Sequence, residues 1–153
     1  MARPLKVVHV GLGPIGQGIA RLVAETDGLQ IVGATDPFPD HSGKDLGALL
    51  GLPRRLRVKV EGNPERFFRR ARADVAVLST SSALKSVKTQ VAALVQRGMN
   101  VVSTCEELAF PTPERAAIAR ATWRMETVSG PVKLRTAAGT AVSASALRIT
   151  SLA

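Results

Sequence analysis

Apolar positions along the first hundred residues follow two alternating rhythms. Leu5–Val10 carries Val7, Val8 and Val10 in a short strand-like run, and Pro14–Glu25 repeats Ile19, Leu22 and Val23 at helical spacing. Leu29–Thr35 is strand-like again. Asp45–Leu50 begins a short helix that Gly51 and Pro53 stop. Arg57–Val60 reads as a weak third strand, and Pro64–Arg72 as a short helix with Asn63 for its N-cap. Ala73–Ser79 is nearly continuous in apolar residues, as expected of a strand covered on both faces. Val87, Val91, Leu94 and Val95 share one face of a helix over Val87–Arg97, which Gly98 ends. Asn100–Ser103 supplies a fifth strand.

Strands alternating with helices through short connections imply an α/β fold with a doubly wound parallel sheet. The join between the first strand and helix narrows this to the Rossmann type. There the chain reads Gly11-Leu-Gly13-Pro14-Ile15-Gly16, and an acid, Asp36, stands 20 residues after the last glycine, at the end of the second strand. A glycine fingerprint in this setting points to dinucleotide binding. Gly11 permits the tight turn, Gly13 lets a pyrophosphate approach the backbone, and Gly16 lets the helix pack on the strand. Pro14 has no N–H but suits a first helical turn, which leaves the amides of Ile15 and Gly16 to meet phosphate at the positive end of the helix dipole. Asp36 would accept from the ribose hydroxyls and repel a 2′-phosphate, which favours NAD over NADP. His41 and Lys44, in the loop that follows, soften that preference and keep NADP open.

Overall charge first suggests another partner. The 153 residues carry a formal net charge of +9, which by itself would raise nucleic-acid binding. Its distribution argues against that. Residues 119–153 place Arg120, Arg124, Lys133, Arg135 and Arg148 against one acid, Glu126. Arg54, Arg55, Arg57 and Lys59 flank a strand expected at the sheet edge, where charge discourages edge pairing. Arg66, Arg69, Arg70 and Arg72 read as the solvated face of a short helix. With no Tyr, one Trp and four Phe, base-stacking platforms are scarce. No membrane-spanning or secretory segment is apparent, and the single Cys105 fits a reducing, cytoplasmic setting.

Open parallel sheets bind ligands beyond the carboxyl ends of their strands. Three segments meet there: Gly11–Gly16, Ser79-Thr80-Ser81-Ser82 and Ser103-Thr104-Cys105-Glu106-Glu107. The hydroxyl-rich turn can face the cofactor or cap the next helix. His9, inside the first strand, reads as a hydrogen-bonded core histidine. Cys105, with no identifiable His partner, reads as a small packed residue.

The segment Ser103-Thr-Cys-Glu-Glu-Leu-Ala-Phe-Pro111 resembles the corresponding stretch of 2,4-diaminopentanoate dehydrogenases, relatives of dihydrodipicolinate reductase. Gly11–Gly16, Gly43–Gly47 and Ala73–Ser82 are similar to that group as well, and the likeness spans about residues 5–118. The resemblance implies an N-terminal NAD(P)-binding domain of an enzyme that oxidatively deaminates a small amino-acid or diamino-acid substrate, by hydride transfer at an amine-bearing carbon. It places Gly11, Gly13, Ile15, Gly16 and Asp36 on the adenosine diphosphate half, and Thr80 and Ser81 near the nicotinamide-side ribose. Glu106 or Glu107 would meet a substrate ammonium, or the two form a helix-start acidic pair. A homo-oligomer is compatible with it.

The resemblance stops near Arg120. Residues 1–120 are therefore expected to form the dinucleotide-binding domain and 121–153 an atypical, irregular tail, of the kind a truncated or out-of-frame end would give. Val132–Leu134 and Ala146–Ile149 are its candidate short strands. Such a chain is expected to bind NAD(H) more securely than it turns a substrate over. A non-catalytic NAD(H)-binding module is the alternative.

Overall fold

A computed structural model describes residues 3–108 and, in backbone, the strands 124–127, 134–135, 141–142 and 147–150. Five parallel strands form the centre: β1 (Leu5–Val10), β2 (Leu29–Thr35), β3 (Val60–Glu61), β4 (Val75–Leu78) and β5 (Asn100–Ser103). Their order is β3-β2-β1-β4-β5, so the connection reverses direction between β1 and β4. Helices α1 (Pro14–Glu25), α2 (Leu46–Leu49), α3 (Pro64–Arg70) and α4 (Leu84–Val95) fill the crossovers.

Both sheet faces are covered, as the unbroken apolar strands require. On one side Val8, Val10, Ala76, Leu78 and Val101 pack with Phe67 of α3 and with Val87, Val91 and Leu94 of α4. On the other, Ile31 and Ala34 pack with Ala20 of α1 and with Leu46 and Leu50 at α2. The β1–β2 register slips by one residue at Val7/Val8, leaving Val32 without a partner in β1.

The elements follow the sequence pattern with local departures that have local causes. The third strand is at the edge as expected but occupies Val60–Glu61 instead of Arg57–Val60. Arg57 adopts φ +59°, a left-handed conformation that breaks an extended run. Asp45 stands outside α2 as its N-cap and accepts from Ala48 N–H at 3.2 Å. Asn63 caps α3 by accepting from Arg66 N–H at 2.9 Å, and α3 ends at Arg70, where Ala71 turns extended. Helix α4 begins three residues before the expected Val87.

In the tail the described residues are short strands, β6 (Arg124–Thr127), β7 (Leu134–Arg135), β8 (Ala141–Val142) and β9 (Leu147–Thr150), of which β7 and β9 overlap the candidates at Val132–Leu134 and Ala146–Ile149. β9 joins β5 antiparallel and β6 joins β9, extending the sheet to seven strands, while β7 and β8 pair with each other. Alternating Leu147 and Ile149 suit a strand; Arg124–Thr127 mixes charges too evenly to show that period. The boundary expected at 120 and the Ala109–Pro111 end of the distinctive segment lie outside the described residues. Among the described residues no helix is long and apolar enough to cross a membrane.

Candidate functional site

The candidate site lies at the switch point between β1 and β4. Beyond the paired strands the hydrogen-bonding continues stepwise. Gly11 N–H donates to Thr35 O at 3.0 Å, Ser79 N–H to Val10 O at 2.8 Å, and Thr104 N–H to Leu78 O at 3.1 Å. These three bonds bring the loops after β1, β2, β4 and β5 into one row.

The three glycines differ in what their missing Cβ allows. Gly11 turns with φ +91°, and a Cβ there would lie 2.6 Å from Ser79 O. A Cβ on Gly16 would run into Gly11 O and lie 2.8 Å from Ser79 Oγ, so the turn, the helix start and the β4 end interlock. A Cβ on Gly13 would meet nothing within 4 Å. Gly11 and Gly16 are thus required by the fold itself, and Gly13 faces open space.

Helix α1 starts in that space. Gly13 is its N-cap and Pro14 stands in the first turn, so the first intrahelical bond runs from Gln17 N–H to Gly13 O at 2.8 Å. The amides of Ile15 and Gly16 have no acceptor among the described residues, and no acidic side chain occupies the first turn. That leaves the positive helix end uncompensated. Ile15 is 70% exposed and Phe38, after β2, is 54% exposed. Large apolar side chains in that setting suit contact with the flat parts of a ligand.

Asp36 is placed at the loop, as its position at the end of β2 implies, but its oxygens already have partners. Leu12 N–H donates to Oδ2 at 2.6 Å, Phe38 N–H donates to Oδ1 at 2.9 Å, and His41 Nδ1 lies 3.1 Å from Oδ1. The residue is buried. Asp36 therefore shapes the glycine turn as well as bordering the site. The ring of Phe38 meets that of His41 edge-on, with centroids 5.0 Å apart.

On the β4 side, Ser79 holds the turn from below. Its Oγ donates to Gly11 O at 3.0 Å and lies 3.4 Å from His9 Nε2. His9 is fully buried and its Nδ1 has no partner among the described residues. Burial pushes its pKa down from 6.5 to about 4, the backbone of Gly16 pulling weakly the other way. It is a neutral core histidine, as read from the sequence. Thr80 and Ser81 lie at the rim. Thr80 Oγ1 donates to Gln90 Oε1 of α4 at 2.8 Å, and Ser81 Oγ accepts from Ala83 N–H at 3.1 Å.

The Cys-Glu-Glu segment braces this rim. Glu107 Oε2 accepts from Leu84 N–H, the first residue of α4, at 2.8 Å. Cys105 is buried, and its Sγ lies 3.0 Å from Ser82 O. The acidic residue thus caps a helix 23 residues earlier in the chain, where a carboxylate suits the dipole. Glu106 and Glu107 also open a short 3-10 helix over Glu106–Leu108, the helix-start placement read from the sequence; the reach of Glu107 to α4 is what its spacing does not reveal. Glu106 is exposed.

The family described as dihydrodipicolinate reductase, N-terminus, matches residues 5–121. The 2,4-diaminopentanoate dehydrogenase of Acetoanaerobium sticklandii is 30% identical over 131 residues, covering 82% of this chain and 36% of that protein. A 4-hydroxy-tetrahydrodipicolinate reductase of a Nostoc species is 36% identical over 59 residues, 39% of this chain and 21% of its own length. The amine dehydrogenase from Mycobacterium smegmatis superposes with a TM-score of 0.70 at 30% identity, over 76% of this chain and 34% of that one. The chain therefore spans about a third of the length of the diaminopentanoate and amine dehydrogenases it matches. The resemblance carried by the glycine and Cys-Glu-Glu segments is upheld: this chain belongs to the dihydrodipicolinate reductase N-terminal domain family.

Proposed function

We propose that residues 5–108 bind a nicotinamide dinucleotide, as the cofactor domain of an oxidoreductase acting on an amine-bearing carbon of an amino or diamino acid. The observation that carries the binding is the combination at Gly13: an open approach to the backbone beside two unpaired amides at the start of α1. The pyrophosphate lies across Gly13, Pro14, Ile15 and Gly16, with Gly11 holding the turn. The adenosine ribose lies towards Asp36, where its hydroxyls share the carboxylate with the present donors, and a carboxylate there gives NAD the advantage over NADP. Thr80 and Ser81 border the nicotinamide-side ribose.

The residues fit such a cofactor, since a side chain at Gly13 would fill the approach that Gly11 and Gly16 are folded to create. When bound, the dinucleotide supplies hydride chemistry; the chain's own groups orient it and close off water. The amine-directed substrate class rests on the relatives' names, those of a diaminopentanoate dehydrogenase and an amine dehydrogenase.

Titration of the purified chain with NADH, followed by calorimetry, tests the reading. Saturable one-to-one binding is expected. The absence of saturable binding to NADH and NADPH alike would overturn it.

A further inference from the structure

Among the described residues His41 is the one whose side chain pairs with the Asp36 carboxylate. Its Nδ1 lies 3.1 Å from Asp36 Oδ1, and the His41 and Asp36 side chains are only 15% and 10% exposed. The imidazole is fixed in place by more than that bond. Its ring meets that of Phe38 edge-on, and the His41 backbone is held as well, its main-chain N–H donating to Phe38 O at 3.0 Å and its main-chain carbonyl accepting from Lys44 N–H at 3.2 Å. Asp36 is held equally firmly by Leu12 and Phe38. The pair is therefore a fixed element of the rim against which an adenosine ribose would lie.

We infer that His41 sets the choice between NAD and NADP, by offsetting the Asp36 charge that would otherwise repel a 2′-phosphate. This rests on the dinucleotide reading above. A carboxylate alone disfavours a 2′-phosphate and welcomes a 2′-hydroxyl. The imidazole, 3.1 Å from Oδ1, engages that oxygen and offsets part of its field, so discrimination against NADP is weaker with His41 in place than without it.

The other charged side chains of its loop, Asp40 and Lys44, and Glu61 of β3 make no ion pair with His41. The Glu61 carboxylate is turned to Arg66, 3.5 Å away, and accepts from Asn63 N–H at 3.1 Å. Among the described residues Asp36 alone pairs with His41. Asp40 and Lys44 are exposed, so solvent screens them.

The test is calorimetric titration of the chain with NADH and with NADPH at pH 6, beside His41→Ala and His41→Gln. The NADPH-to-NADH ratio of dissociation constants should rise about tenfold in both variants at pH 6, the weight of one favourable charge contact. NADH affinity should change less than threefold. A ratio unchanged by both substitutions at pH 6 would overturn the inference while leaving dinucleotide binding intact. Wild type binding neither nucleotide would instead sink the underlying reading.

Discussion

Leu12 N–H and Asp36 Oδ2 are 2.6 Å apart, a buried hydrogen bond that ties the glycine turn to the end of the second strand across 24 residues. The acid proposed to face the adenosine ribose is thereby also a structural clamp on the glycine loop. A charge-assisted bond of this kind is among the strong ones, and removing the acceptor would leave a buried amide unpaired. Asp36→Ala should destabilise the fold by about 2–3 kcal/mol and weaken NADH binding together, since Leu12 and the turn lose their anchor. Urea unfolding and NADH titration of the same variant check this. Lost binding with unchanged stability would confine Asp36 to the ligand and refute the clamp.

Glycine substitutions should separate folding from binding. Gly13→Val places its side chain in open space, so the urea midpoint should hardly move, within about 0.5 kcal/mol, the usual range for a surface change. Its NADH affinity should fall at least tenfold, because the branched side chain occupies the approach to the backbone. Gly16→Ala presses a Cβ towards Gly11 O and Ser79 Oγ and should cost about 1–3 kcal/mol of stability, the range of overpacked sites. A reversed pattern, with Gly13→Val unfolding and Gly16→Ala silent, would contradict the geometry described.

Glu107 offers a test of the β4 rim. Its carboxylate caps α4 at Leu84 N–H, and Glu107→Ala should cost about 0.5–2 kcal/mol, as for lost N-caps. Hydrogen exchange should show the effect concentrated at Ser81–Val87, with β1 and α1 unaffected. Uniform loss of protection across the sheet would mean that the contact supports the fold generally instead of this rim.

These contacts show where the sequence was legible and where it was not. Periodicity located the strands and helices around Val7–Val10, Ile19–Val23 and Val87–Val95, because burial of one or both faces imposes a period on neighbouring residues. The glycines and Asp36 could be placed because their spacing is set by one local turn–helix–strand unit. What remained hidden depends on contacts between distant segments. Nothing in the spacing of Glu107 tells that it reaches Leu84, nor does the position of Ser79 tell that its hydroxyl holds Gly11 O. His41 was noticed for its charge and its loop; its hold on Asp36 required the folded loop. The strand at Arg124–Thr127 carries no alternation and is defined by its pairing with Leu147–Thr150.

His9 ties stability to pH. Its folded-state pKa of about 4 lies below the ordinary 6.5, because the imidazole is fully buried beneath the glycine turn. The unfolded chain therefore binds more protons than the folded one between those values, and stability must fall as pH falls through that window. At pH 7 the neutral histidine costs the fold nothing. By pH 4 the penalty for keeping it uncharged approaches about 3 kcal/mol, at 1.36 kcal/mol per pKa unit. Urea unfolding of wild type and His9→Leu across pH 4–7 should diverge accordingly, the variant losing less stability on acidification. Asp74, whose carboxyl Arg3 and the Lys6 amide hold below its usual range, acts in the same direction but at lower pH. Its contribution should appear in both proteins alike. Parallel pH profiles for wild type and His9→Leu between pH 6.5 and 4 would show that His9 admits a proton, or water, without unfolding.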